Sequence, residues 1–171
     1  SCKDATEDAV GSNQVETTVF AAVVDAEGKV VVASSDCAQV KFTFDNKGAS
    51  TFDATKAVST KKEMGDGYNM KLYGGAAKEW FEQADAFCGV IVGKTADEVK
   101  ALVAENAKGT EEVINAGCTI YVSDFAVAVE KAINNAVECN ATAEDTVKLG
   151  VSTAQTPTDA TEEKAGSNKL E

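Results

Sequence analysis

All 16 basic residues of this 171-residue chain are Lys, and there is no His. Imidazole is therefore absent as base, proton shuttle or metal ligand, and no guanidinium can fork onto a carboxylate or phosphate. Ser, Asp, Glu and Lys remain, but no His-based triad can be built from them and no Lys-based signature is present. The five cysteines, Cys2, Cys37, Cys88, Cys118 and Cys139, show none of the C-x-x-C spacing of zinc or redox sites. They read as scattered thiols, and no D-x-D-x-D-G calcium loop occurs. What remains is hydroxyl and backbone chemistry. Ala116-Gly117-Cys118-Thr119 sets a Thr hydroxyl just behind a glycine. Gly74-Gly75, ahead of a helical pattern, offers either an anion seat at a helix N-terminus or close backbone packing; without a following Lys-Ser/Thr ending, packing is the expectation. Trp80, Phe81 and Phe87 are expected in the core rather than on a ligand platform.

These residues need elements to position them, and the hydrophobic period supplies candidates. Residues 17–24 and 29–34 are β-rich runs separated by Asp25-Ala26-Glu27-Gly28, which predicts a hairpin with Gly28 at positive φ. Residues 39–45 alternate, with Val40, Phe42 and Phe44 on one face, and predict a third strand of an antiparallel meander. From Gly74 the period turns helical, with Trp80, Ala84, Phe87 and Ile91 as the inner stripe, weakened at Gly89 and ended by Gly93. Thr95-Ala96-Asp97-Glu98 has capping-box spacing and predicts a short helix to about residue 104. A strand over 120–122 follows the Gly-Cys-Thr element. Ser123-Asp124 is expected to cap a last helix whose inner face is Phe125, Val129, Ala132, Ile133, Ala136 and Val137. Val147, Leu149 and Val151 alternate and suggest an edge strand. The fold class expected is α+β: a mainly antiparallel sheet with helices packed on one face.

The two ends of the chain resemble each other. Residues 3–16 align without a gap on residues 158–171, at a constant offset of 155, with eight of fourteen positions identical: Asp4, Ala5, Thr6, Glu7, Gly11, Ser12, Asn13 and Glu16. The expected organisation is a linker or lipoprotein-type segment over 1–14, a single α+β domain over 15–151, and a linker over 152–171 that resembles the start of a next tandem copy. Polar tails of this kind bury too little apolar area to offset the entropy of ordering. The Ser1-Cys2 start resembles the processed end of a bacterial lipoprotein, whose Cys carries the acyl chains. The net charge of −12, from 28 acidic and 16 basic residues, repels nucleic acid and anionic lipid. No apolar run approaches the ~18 residues of a membrane span.

In order and position, Ala116-Gly117-Cys118-Thr119 with the hairpin at Asp25-Ala26-Glu27-Gly28 resembles the covalent FMN-binding domain family. There the last Thr of a D-x-x-S/T-G-A-T element is joined to FMN through phosphate by a separate transferase. Asp25-Ala26-Glu27-Gly28-Lys29-Val30, Lys78-Glu79-Trp80-Phe81-Glu82-Gln83-Ala84, Val92-Gly93-Lys94-Thr95-Ala96-Asp97-Glu98-Val99 and Val122-Ser123-Asp124-Phe125 resemble more closely the uncharacterised tandem-repeat surface proteins of Gram-positive gut bacteria. Those proteins are distantly similar to the FMN-binding domains. The resemblance implies an FMN-binding-domain-like fold, with Thr119 and Gly117 as the cofactor-binding positions. Three positions depart from the motif: Ala116 for Ser or Thr, Cys118 for Ala, and Val113 for Asp, with Glu112 the nearest acid. The expectation is a non-catalytic, extracytoplasmic cell-surface repeat module without cofactor or metal. Its expected partners are neighbouring copies or other cell-envelope proteins, and its membrane attachment runs through Cys2 alone. The alternative is an electron-transfer domain carrying FMN on Thr119.

Overall fold

The computed structural model describes all 171 residues, as a mixed α+β fold with antiparallel sheets and short helices. Along the chain run β1 (Cys2–Lys3), β2 (Gly11–Val24), β3 (Val30–Phe44), α1 (Lys61–Met64), a 3-10 turn (Gly65–Tyr68) and α2 (Met70–Gly74). Then come α3 (Trp80–Val90), α4 (Ala96–Lys100), α5 (Glu111–Asn115), α6 (Ser123–Asn134), β4 (Gln155–Thr158) and β5 (Ser167–Leu170). One sheet has the order β1-β2-β3 and a second is the pair β4-β5. The residues fall into two compact units. The first comprises Ser1–Thr17, Ala38–Thr60 and Val151–Glu171, the second Thr18–Cys37 and Lys61–Gly150.

The second unit holds the larger core. Its hairpin turns at Asp25, whose Oδ1 accepts from the backbone N–H of Glu27 and Lys29, while Gly28 takes φ +76°. The stripe read from the sequence on α3 is buried throughout: Trp80, Ala84, Phe87 and Ile91. Phe125 of α6 meets the Trp80 ring edge-on at 5.9 Å and the Phe87 ring at 5.4 Å. Val99, Leu102, Val113, Cys118, Val122 and Val129 belong to the same cluster. α4 opens on the expected capping box: the Thr95 side chain accepts from the Glu98 N–H, and Glu98 accepts from the Thr95 N–H at 2.8 Å. α3 has a capping box of its own, in which Glu79 and Glu82 exchange bonds.

Several expectations are corrected here. Residues 29–34 and 39–45 are not two strands but parts of the single strand β3. Its middle carries Ser35 and Asp36, polar residues that are buried and hydrogen-bonded, so the apolar pattern breaks where the strand does not. Residues 120–122 make one isolated bridge, Tyr121 to Lys108, in place of a strand. α6 begins at Ser123 itself, with Val122 at the cap position and no side-chain cap. Because that helix ends at Asn134, Ala136 and Val137 lie beyond it and are exposed, Val137 by 82%. Residues 147–151 form no strand. Helices α1 and α2 were not anticipated; Lys61 is buried there with its ammonium 5.3 Å and 5.4 Å from the Tyr68 and Trp80 ring centres.

In the first unit, Val40 and Ala38 of β3 are buried, and the rings of Phe42, Phe44 and Phe52 form a chain of contacts at 5.9 to 6.4 Å. Asp45-Asn46-Lys47-Gly48 repeats the turn seen at Asp25: Asp45 Oδ1 accepts from the N–H of Lys47 and Ala49, and Gly48 takes φ +82°. The terminal segments expected as linkers, 1–14 and 152–171, are folded into this unit as hairpins. Their order comes from backbone ladders, which a polar composition does not oppose.

Candidate functional site

Thr119 and Gly117, the cofactor-binding positions implied by the family resemblance, lie together on the turn between α5 and α6. Cys118 N–H donates to Val113 O and Gly117 N–H to Ile114 O, so the α5 backbone closes directly onto the turn. Gly117 has φ +98°, a conformation that L side chains rarely adopt. The Lys78 side chain lies across it: a Cβ added at Gly117 would come within 2.2 Å of Lys78 Nζ, which is 3.5 Å from Ala116 O. Thr119 is exposed, yet its hydroxyl donates to Gln83 Oε1 at 3.0 Å, and its N–H donates to the same oxygen at 2.8 Å. Gln83, itself buried, donates from Nε2 to Lys78 O at 2.9 Å. A side chain of α3 thus fixes both Lys78 and Thr119, a partnership across 36 residues that no local motif signals.

The positions flanking the hydroxyl are occupied structurally. Cys118 is fully buried, and desolvation pushes its thiol up to about 11. Val113, aligned on the motif's acid, is fully buried against Gly109, where an added Cβ would approach Val113 Cβ to 2.4 Å. Glu112 is paired with Lys94 at 3.1 Å. Ala116 is exposed at the C-cap of α5 and supplies no hydroxyl. Gly75, with φ +63°, ends α2, and the N-terminus of α3 is closed by the Glu79 carboxylate, which also accepts from the N–H of Met70 and Lys71. That end of α3 is therefore occupied by the chain's own anion. Trp80 and Phe87 are core residues and Phe81 is half-buried against them. Cys37, Cys88 and Cys118 are buried free thiols, Cys2 and Cys139 exposed ones. Burial raises the Cys88 thiol, against a weaker lowering by the Ser35 contact. No group of three His, Cys, Asp or Glu side chains is placed to hold a metal.

The repeated ends form a second site. In the N-terminal hairpin Cys2 pairs with Asn13 and Lys3 with Ser12, and Gln14 exchanges bonds with Ser1. In the C-terminal hairpin Pro157 pairs with Asn168, Thr158 with Ser167 and Thr156 with Lys169. Adding 155 to each N-terminal position gives its C-terminal counterpart, so the sequence repeat is a structural repeat in one register. The loops agree: Thr6 N–H donates to Ala9 O and Thr161 N–H to Lys164 O, both at 2.8 Å. The identical glycines have one shared reason, because a Cβ at Gly11 would reach Ala5 N at 2.7 Å and one at Gly166 would reach Ala160 N at 3.0 Å.

No family model, curated protein or solved structure matches this chain. The first site offers one exposed hydroxyl beside one Lys, with no general base of the imidazole type. The second offers a surface that the chain duplicates. In the C-terminal hairpin Asp159 Oδ1 accepts from Ser50 N–H at 2.8 Å, and Ala160 N–H donates to Gly48 O at 3.1 Å. The Ser50 backbone N–H, then its side chain, holds the Asp159 carboxyl below its usual range.

Proposed function

We propose that the chain is a non-catalytic, extracytoplasmic cell-surface repeat module with an FMN-binding-domain-like fold and no working flavin. The observation that carries this reading is the hairpin repeat: two segments 155 residues apart share sequence, pairing register and loop bond. A chain that carries the same hairpin element twice, 155 residues apart, suits a tandem array. Its partners in this reading are neighbouring copies or other envelope proteins. The charge of −12 speaks against nucleic acid, and attachment to a membrane runs through lipidation of Cys2, an exposed thiol on β1. The loss of flavin is supported by the Thr119 turn, where Gln83 Oε1 accepts the hydroxyl's hydrogen bond, Cys118 and Val113 face the core and Glu112 is held by Lys94.

A second reading, an FMN-carrying electron-transfer domain modified at Thr119, is favoured by one observation. Thr119 is exposed beside the positive-φ Gly117, with the Lys78 ammonium alongside, a fit for a phosphate ester. The two are separated by intact mass and visible absorbance after co-expression with an active flavin transferase. The module reading expects unmodified, colourless protein. A yellow product heavier by one FMN, lost in Thr119→Val, would overturn it.

A further inference from the structure

The geometry points to a docking surface on the N-terminal hairpin, formed by Asp4 and Ala5, that seats the Asp45–Ser50 turn of a preceding copy of this chain. The inference rests on the tandem reading and goes beyond it, because a tandem array needs no fixed joint between its members.

The chain itself contains one docked example. The turn at Gly48 reaches the C-terminal hairpin through three features: Ser50 N–H on the Asp159 carboxylate, Gly48 O accepting from Ala160 N–H, and the bare Cα of Gly48. A Cβ at Gly48 would come within 2.5 Å of Ala160 Cβ, so the turn needs glycine for contact as well as for its φ of +82°. The receiving residues, Asp159 and Ala160, are identical to Asp4 and Ala5 in the aligned repeat, and both pairs leave the same ladder position, one residue after Thr158 and Lys3. The N-terminal hairpin therefore presents the same carboxylate and the same N–H in the same frame. Asp4 and Asp159 are both exposed, and the Ser50 N–H bonds Asp159 with no equivalent donor on Asp4.

The reverse comparison agrees. Gly11 is buried because the Phe44 ring of its own copy lies on it, an added Cβ reaching that ring at 2.4 Å. Gly166, its counterpart, is exposed: a Cβ added there would meet Gly48 O at 3.2 Å and no ring. The hairpin's glycine is thus approached by Phe44 in the copy that it opens and by the Gly48 turn in the copy before. The N-terminal hairpin has the first partner and the C-terminal hairpin has the second. A shared hairpin with both partners is a fixed joint, closed by main-chain bonds and by glycine contacts.

The test is a seamless two-copy protein, residues 1–171 followed directly by 17–171, since Glu171 aligns on Glu16. Amide exchange and residual dipolar couplings are read on the first unit of each copy. The expected result is a protected Ser50 amide and one alignment tensor for both first units. Asp159→Ala is expected to lower Ser50 protection about tenfold and to separate the tensors. Asp4→Ala, with no copy before it, is expected to change neither. Two tensors in the unsubstituted protein, with both copies folded, would overturn the joint and leave the tandem reading standing. A second copy that failed to fold would remove both.

Discussion

Replacing Gln83 by Leu removes the one side chain that ties α3 to the Thr119 turn. Gln83 is 1% exposed and makes three good bonds: to Lys78 O at 2.9 Å, from Thr119 N–H at 2.8 Å and from Thr119 Oγ1 at 3.0 Å. At about 1 kcal/mol net each, the loss is about 3 kcal/mol, and stranding the Lys78 carbonyl and the Thr119 N–H adds to it. The Leu side chain recovers about 1 to 2 kcal/mol by apolar burial. The net expectation is about 3 kcal/mol, a lowering of Tm on the order of 6 to 12 °C for a chain of this length. Urea unfolding followed through the fluorescence of Trp80, the only Trp, reports on the unit that contains both residues. Thr119→Val is expected to cost only about 1 kcal/mol, because water replaces part of the bond at an exposed hydroxyl. A double-mutant cycle should return a coupling of about 0.5 to 1.5 kcal/mol. A Gln83→Leu cost below about 1 kcal/mol, with no coupling to Thr119, would refute the assignment of the hydroxyl to Gln83 and with it a main support for the flavin-free reading.

Trp80→Ala, which removes a buried ring from Phe125 and from the Lys61 ammonium, is expected to cost about 3 to 5 kcal/mol by denaturant melt. Of the five thiols, a colorimetric thiol reagent should react at once with two, Cys2 and Cys139, and with the other three only on unfolding. Stability should fall as pH rises from about 9 towards 11, because the unfolded Cys118 thiol ionises near the ordinary thiol value of 9.0 while the buried one holds its proton to about 11. Below that window both states are protonated and the thiol contributes no slope; across it the loss approaches about 2 to 3 kcal/mol for Cys118, and Cys118→Ala should flatten the curve.

The helical elements were legible where an apolar stripe or a local cap announced them. Trp80, Ala84, Phe87 and Ile91 recur at helical spacing, and Thr95 with Glu98 is a cap written in four residues. β3 was legible only in halves, because Ser35 and Asp36 are buried polar residues whose partners, Cys88 and the Lys62 N–H among them, lie far along the chain. Lys61-Lys62-Glu63-Met64 has no apolar stripe, and a Lys buried under two aromatic rings reads locally as a solvated charge. The Thr119 turn and its glycine are implied by the family resemblance, but the Gln83 bond is not. The terminal hairpins were visible as a repeat and not as structure, since their order rests on ladder bonds and on glycines pressed against backbone, neither of which leaves a hydrophobic pattern.

The repeat is the centre of this account, and its most direct test is a two-dimensional NOE spectrum of the single chain. The account predicts cross-strand contacts between Lys3 and Ser12 and, at the same relative positions, between Thr158 and Ser167, with strand-type shifts over 155–158 and 167–170. Random-coil shifts and no cross-strand contacts over residues 155–170, beside an intact N-terminal hairpin, would contradict it.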